Sequence, residues 1–380
     1  MSEYYIGLMS GTSLDGADGV LVDFSGKNLQ VVAFASRPFS HEFRAELLAL
    51  NSPTDNELHR AAVAGNQIAA TYAEVALDLL NAAAKHGISK SNIKAIGAHG
   101  QTVRHQPQRT SSDAQSAGYT LQLNNPALLA ELTSIDVVAD FRSRDIAAGG
   151  QGAPLVPAFH QSVFGGSGHG VAVLNIGGIS NLSVLPPKDS TASDVSGFDC
   201  GPGNALVDAW CQQHTGQPFD AGGAWAASGK LLPELLACLL DEPYFSKPPP
   251  KSTGRDLFSP QWLATKLAAF SNVPPEDIQN TLTEFTASAC TMGIASYAKD
   301  SKELIVCGGG AFNSYLLKRL QAKMPSVRIS TSDAHGLGAI QVEAAAFAWL
   351  ARRTVRREAG NLPGVTGAKG LRVLGAIYPA

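Results

Sequence analysis

Several short stretches of this chain combine residue types that handle phosphate, metal ions and proton transfer. Gly11, Thr12, Ser13, Leu14, Asp15, Gly16, Ala17 and Asp18 form a polar loop between two apolar runs. Its glycines and hydroxyls would turn backbone N–H groups and side-chain donors toward a bound anion. An ordinary hairpin turn needs only two or three such residues. Asp15 and Asp18 weigh for a phosphate cradle, because carboxylates beside phosphate oxygens are how Mg2+ is held, directly or through water. The loop fits neither G-x-x-x-x-G-K-[ST] nor a strand-to-helix G-x-G-x-x-G, so a P-loop or Rossmann site has no support. A second glycine loop carries Gly177 and Gly178 between the apolar runs Val171 to Asn175 and Asn181 to Leu185. A third, Gly308, Gly309 and Gly310, follows the buried-strand pattern Leu304 to Cys307 and precedes a helix opening at Asn313. That context admits a flat nucleoside beside a phosphate at a helix N-terminus. A structural turn is the competing reading, although three successive glycines give up much conformational entropy.

Asp199 is expected at a strand end, in a turn of Gly and Pro, where a carboxylate would serve as general base on a hydroxyl or a water. Its bland alternative is a cap on the helix starting near Asn204, but Asn204 caps well by itself. Two polar clusters in the first half would suit a second substrate: His99, Gly100, Gln101 and Thr102, and then Arg142, Ser143, Arg144 and Asp145. Arg forks onto carboxylates, and His, Thr and Asp bond sugar hydroxyls. A lone histidine is more often structural, so His99 carries weight only with its neighbours. The stretch from Lys251 to Asp256 follows a Pro-rich linker and reads equally as a loop closing over a cleft or as a solvated connection.

The elements that must position these residues follow from periodicity. Strands are expected at Tyr4 to Met9 and Gly19 to Phe24, helices at Glu42 to Leu50 and Asp55 to Lys85, and a strand at Ile93 to Gly97. The hairpin form recurs after Gly170, an internal repeat of architecture with little sequence identity. A last long helix runs from about Ala339 to Arg357 before an irregular tail. At 380 residues the chain exceeds one ordinary core, and two lobes around a cleft are expected, residues 1–168 with 336–380 and residues 169–335. Two hairpins gripping one polyphosphate from two sides is the arrangement of an actin/hexokinase-like, ribonuclease H-like α/β fold. A net charge of −3 without a basic patch argues against nucleic acid. No apolar run is long enough to span a membrane. Five cysteines without a C-x-x-C pair, and no signal-like opening, point to a reducing cytoplasm with neither disulfides nor zinc.

Taken together, Gly7 to Gly16, Ala98 to Thr102, Asp140 to Arg142 with Gly149 to Pro154, Asn175 to Gly178, Phe198 to Asn204, Lys251 to Arg255 and Cys307 to Asn313 resemble the anhydro-N-acetylmuramic acid kinase family over almost the whole chain. The resemblance implies use of ATP and water to open the 1,6-anhydro ring of anhydro-N-acetylmuramic acid, giving N-acetylmuramic acid 6-phosphate in cell-wall recycling. It implies Asp199 as base, the loop Gly11 to Asp18 for nucleotide and Mg2+, His99, Arg144, Asp145 and Glu343 as sugar contacts, and a homodimer. The chain departs from the pattern at Asn124, where the family commonly has Gly, and at residues 335–341, which lack expected prolines; its insert at Gln108 to Gly118 is also longer than usual.

Overall fold

The computed structural model describes residues 3–11, 13–107, 118–190, 195–254 and 257–380. Thr12, most of the 108–118 insert, Arg255 and Asp256 lie outside them. The chain divides into two compact units, Met1–Val163 with Gln341–Ala380, and Phe164–Ile340.

In chain order the first stretch forms β1 (Tyr4–Met9), β2 (Gly16–Asp23), β3 (Gln30–Pro38), α1 (His41–Ala49), α2 (Glu57–Ala84), β4 (Ile93–Ala98), β5 (Gln101–Gln106), β6 (Tyr119–Leu123), α3 (Pro126–Thr133), β7 (Val137–Ala139), α4 (Ser143–Ala147) and α5 (Val156–Phe164). The second unit holds β8 (Gly170–Ile176), β9 (Ile179–Leu185), β10 (Ser196–Pro202), α6 (Ala205–Thr215), α7 (Ala224–Ser228), α8 (Pro233–Leu240), α9 (Pro260–Leu267), α10 (Pro275–Tyr297), β11 (Ser301–Cys307), α11 (Ser314–Lys323) and β12 (Arg328–Thr331). The chain returns to the first unit as α12 (Val342–Val355), α13 (Pro363–Thr366) and β13 (Ala376–Tyr378).

The sheet of unit 1 has the order β13-β7-β4-β1-β2-β3, in which β1, β2 and β3 form an antiparallel meander and β4 and β7 join in parallel. Glycine sets how closely one helix can lie on it. Gly7 and Gly97 are register partners on β1 and β4, and a Cβ on Gly7 would fall 1.9 Å from the carbonyl oxygen of Ala344, one on Gly97 2.1 Å from that of Phe347. The alanine-rich α12 therefore lies almost backbone to backbone against the sheet. On the opposite face Leu8, Val75, Ala76 and Leu79 pack as α2 covers the meander, and a Cβ on Gly19 would meet Val75 at 2.4 Å.

Unit 2 repeats the plan. Its order is β10-β9-β8-β11-β12, again an antiparallel meander followed by two parallel strands. β8 is buried along its whole length, as a central strand covered on both faces must be. Phe198, Cys200, Ala287, Cys290 and Ile294 share a core that seats α10 against β10. The same strand order, 3-2-1-4-5 counted within each sheet, is the ribonuclease H-like topology, and its occurrence in both units is the actin/hexokinase-like architecture.

Candidate active site

In unit 1 the first glycine loop connects β1 to β2. Leu14 has φ +59°, a left-handed backbone that costs a residue with a side chain on the order of 1–3 kcal/mol and tends to persist where a loop is held for use. The Leu14 N–H donates to the Gly11 carbonyl at 3.2 Å, and Ser13 Oγ donates to Asp15 Oδ1 at 2.6 Å. Gly16 admits the close approach of β3, since its Cβ would lie 2.4 Å from the Arg37 carbonyl oxygen. A Cβ on Gly11 would meet Ser13 Oγ at 3.6 Å, an ordinary contact. Ala17 is fully buried. Asp15 is exposed and Asp18 half-buried. Burial pushes the Asp18 carboxyl above the ordinary carboxylate range, a Ser36 hydrogen bond opposes this, and the Asp15 charge adds to it.

The polar turn after β4 is tied to this loop. His99 donates its N–H to the Leu8 carbonyl at 3.0 Å. Ser10 Oγ donates to Gln101 Oε1 at 2.5 Å. Gly100, with φ +80°, donates its N–H to the Tyr72 hydroxyl at 3.2 Å. Thr102 Oγ1 accepts from Gln122 Nε2 at 3.1 Å. His99 is buried, and burial followed by the neighbouring Arg142 charge drives its imidazole well below the usual histidine range. The neutral ring accepts at Nε2 from Arg142 Nη2 at 2.9 Å and Nε at 3.1 Å. Arg142 Nη1 also donates to the Gly152 carbonyl at 2.9 Å, joining the turn to the Gly149–Gly152 loop. Asp145 is fully buried. Its Oδ2 accepts from the Gly152 N–H at 2.8 Å, and its Oδ1 from Asn361 Nδ2 at 2.7 Å and Thr366 Oγ1 at 2.8 Å. Arg144 is exposed on α4, and Glu343 is half-buried in the first turn of α12. Of the residues that lock this cluster, Gln101 and Arg142 lie within the two polar runs singled out in the sequence, whereas Ser10 and Tyr72 carry no local signal of that role.

In unit 2 the loop between β8 and β9 is braced from below. The N–H groups of Gly203 and Asn204 donate to the Gly178 and Gly177 carbonyls at 2.9 and 2.8 Å, and Asn204 Nδ2 donates to Ile176 O at 3.3 Å. Asn204 occupies the cap position of α6 without a side-chain cap bond, its amide being spent on the hairpin. The triple glycine has divided uses. A Cβ on Gly308, which has φ +77°, would meet Asn175 Oδ1 at 2.3 Å, and one on Gly310 would meet Ile176 at 2.4 Å, whereas Gly309 meets only Asn204 Nδ2 at 3.6 Å and is exposed. Close packing against the hairpin thus requires glycine at 308 and 310 and leaves Gly309 open. Asn313 caps α11, its Oδ1 accepting from the Leu316 N–H at 2.9 Å, so that the helix begins at Ser314. The glycine pair Gly222 and Gly223, both with positive φ, abuts this cap: Ser314 Oγ donates to Gly222 O at 3.0 Å. Sequence reading passed over that pair, although a glycine doublet was its signal.

Asp199 lies within β10, not at a strand end as expected, at a bulge between Asp199 and Gly201. Its Oδ2 accepts from the Thr253 N–H at 3.0 Å, its own N–H donates to Lys251 O at 3.2 Å, and its carbonyl accepts from the Tyr244 hydroxyl at 2.7 Å. Burial, then the Asp199 charge, raises the Tyr244 phenol, so it stays a donor. Burial lowers the Lys251 ammonium. The 251–254 segment thus binds the candidate base directly. Among the described residues no group of three or more His, Cys, Asp or Glu is gathered to hold a metal ion. The Asp15 and Asp18 carboxylates, close enough for one to raise the other, suit a hard cation that takes most of its ligands from phosphate and water.

Two ribonuclease H-like units, each with a glycine hairpin at the same place in its sheet, define a chain of the actin/hexokinase-like class, and the chain is an ATP-dependent carbohydrate kinase of that class. It belongs to the anhydro-N-acetylmuramic acid kinase family, whose sequence profile matches residues 3–380. A protein of Variovorax paradoxus named anhydro-N-acetylmuramic acid kinase is 64% identical over 379 residues, covering 100% of this chain and 99% of its own length. Those of Albidiferax ferrireducens and Nitrosomonas europaea, with the same name, are 61% and 52% identical over 396 and 377 residues, covering 100% and 99% of this chain and 100% of their own lengths. Among solved structures, a ROK family glucokinase from Streptomyces griseus aligns at 14% identity with a TM-score of 0.43, covering 92% of this chain and 99% of that one. No helix of the described residues is long and apolar enough to cross a membrane.

Proposed function

We propose that this chain uses ATP and water to open the 1,6-anhydro ring of anhydro-N-acetylmuramic acid, with phosphorylation at O6, yielding N-acetylmuramic acid 6-phosphate for cell-wall recycling in the cytoplasm. Family membership supplies the substrate, and the observation that carries the chemistry is the fixed carboxylate of Asp199, aimed by the Thr253 N–H and standing four residues before the Gly203 and Asn204 brace of the second glycine loop. In this reading Asp199 takes a proton from water, whose oxygen attacks the anomeric carbon from the face opposite the bridge, as in an inverting glycosidase. The C1–O6 bond breaks, and its electron pair forms the new bond to the γ phosphorus as the bond to ADP opens, so no separate acid is needed for O6. The glycine loops Gly11 to Asp18 and Gly177 to Gly178, with Gly308 to Gly310, supply N–H groups for the charge spread over the phosphoryl oxygens. Asp15 and Asp18 are the residues that would hold Mg2+, which neutralises phosphate charge when bound.

On the sugar side, the neutral His99, its partner Arg142 and the turn Gly100 to Thr102 form the surface that meets the substrate, with Arg144 and Glu343 as further contacts. Asp145 serves the same surface from beneath, by fixing the Gly149–Gly152 loop. A homodimer is part of this proposal, on family grounds. Asp199→Asn tests it: turnover should fall by at least about a thousandfold, well beyond a typical general-base contribution of 10²–10⁴ at its low end, while ATP affinity stays within about twofold. Turnover within tenfold of wild type would remove Asp199 from the role.

A further inference from the structure

We infer that Lys251 is a positioning residue for Asp199, acting through the 251–254 strap; the inference rests on the role proposed above for Asp199. Asp199 sits where β10 loses register with β9, so the sheet alone holds it less firmly than its neighbours. Three hydrogen bonds constrain it further, two from the 251–254 strap and one from Tyr244. Lys251 O takes its N–H, the Tyr244 hydroxyl takes its carbonyl, and the Thr253 N–H takes Oδ2. These three bonds fix the backbone of the residue and the direction of its carboxylate together.

What holds that segment is the Lys251 ammonium. Nζ lies 4.8 Å from the Tyr244 ring centroid and 5.8 Å from that of Phe198, and 3.4 Å from each of the Tyr244 and Phe245 carbonyl oxygens. Among the described residues it makes no ion pair, so its charge is spent on two ring faces and two carbonyls. Through those contacts it staples the strap to Tyr244 and Phe245, whose rings pack edge to face with Phe258 and Phe285 in the core of unit 2. Phe198 is the residue immediately before Asp199, so the same ammonium also lies against the strand that carries the base. Without it the strap would keep its covalent ends but lose its anchor at the position next but one to Thr253. The Asp199 carboxylate would then sample directions that do not meet the water.

The full chain carrying Lys251→Met keeps the length and apolar contacts of the side chain and removes its charge. Its kcat should fall roughly 10- to 100-fold, the scale of an ångström-sized misplacement of a reacting group. The KM for ATP and for the sugar, and the ATP Kd by calorimetry, should stay within about threefold of wild type, as expected if the strap acts only by orienting Asp199. Lys251→Arg should recover most of the loss, since a guanidinium also lies over aromatic faces. Wild-type turnover in Lys251→Met would overturn the inference. So would a loss of ATP affinity or of thermal stability that matches the loss of kcat, or failure of Arg to rescue, because each would make Lys251 a support of the fold and not of the base. A wild-type chain with no sugar-dependent phosphoryl transfer would remove the reading of Asp199 itself, and the inference with it.

Discussion

Asp145 separates a sugar contact from a buried staple. It is fully buried, and its carboxylate accepts three hydrogen bonds, from Gly152 N, Asn361 Nδ2 and Thr366 Oγ1, which join the Gly149–Gly152 loop to the C-terminal segment of unit 1. In Asp145→Asn the oxygen can remain with Asn361 and Thr366. The new NH2 then faces the Gly152 N–H, where Oδ2 accepted at 2.8 Å. One hydrogen bond to a charged acceptor is lost, worth about 1.5–3 kcal/mol, and a buried N–H is left unmatched at about 1–3 kcal/mol. The two terms sum to about 2.5–6 kcal/mol, which brackets the cost of about 3–5 kcal/mol for removing one partner from a buried charged network, taken as the cost of Asp145→Asn. At about 2–4 °C per kcal/mol for a unit of this size, the melting midpoint should drop by about 6–20 °C. Calorimetry of the purified variant, with the sugar KM measured well below the new midpoint, checks it. The loop defect should lower kcat and stability together. An unchanged midpoint with a raised sugar KM would refute the reasoning and return Asp145 to direct contact with the sugar.

Gly97→Val should prevent unit 1 from folding, since a Cβ there would stand 2.1 Å from the Phe347 carbonyl oxygen of α12; soluble, wild-type-like expression would contradict this. His160 is fully buried and burial lowers its imidazole to about 3. The unfolded chain therefore binds more protons than the native one below the free-histidine value, and stability is lost as pH falls from about 6.5 toward 3. At pH 5 this one group costs about 2 kcal/mol relative to pH 7, and His160→Gln should flatten that part of the stability profile. Asp15→Asn and Asp18→Asn should each weaken the dependence of ATP affinity on added Mg2+ by about tenfold or more, on the order of one lost carboxylate contact; titration calorimetry at several Mg2+ concentrations measures it.

The central strands were legible because their burial follows from their own composition. β1 begins and ends where the apolar run Tyr4 to Met9 does. The strands that escaped reading, β3, β5, β6, β12 and β13, are partly exposed, and β13 spans only Ala376–Tyr378; their pairing is set by the sheet they join, and local pattern does not encode it. Residue type and setting singled out His99, Asp145 and Asn313 as candidate site residues. It could not tell which would face a ligand, because that depends on partners as distant in sequence as Asn361 and Thr366 for Asp145. The triple glycine taught the same lesson. Its entropy cost was legible, but that Gly308 and Gly310 serve packing while Gly309 stays open depends on the neighbouring β8–β9 hairpin. For Lys251 to Asp256 the sequence left a closing loop and a solvated connection equally open, and the Thr253 contact with Asp199 supports the third role proposed above.

The most direct test of the central claim is the reaction of the wild-type chain with ATP, Mg2+ and anhydro-N-acetylmuramic acid in oxygen-18 water, with the products read by mass spectrometry. The account predicts a sugar heavier by one phosphoryl group and one water, with the label on the anomeric carbon and none in the transferred phosphate. A product heavier by the phosphoryl group alone, or label appearing in free phosphate without any change in the sugar, would contradict it.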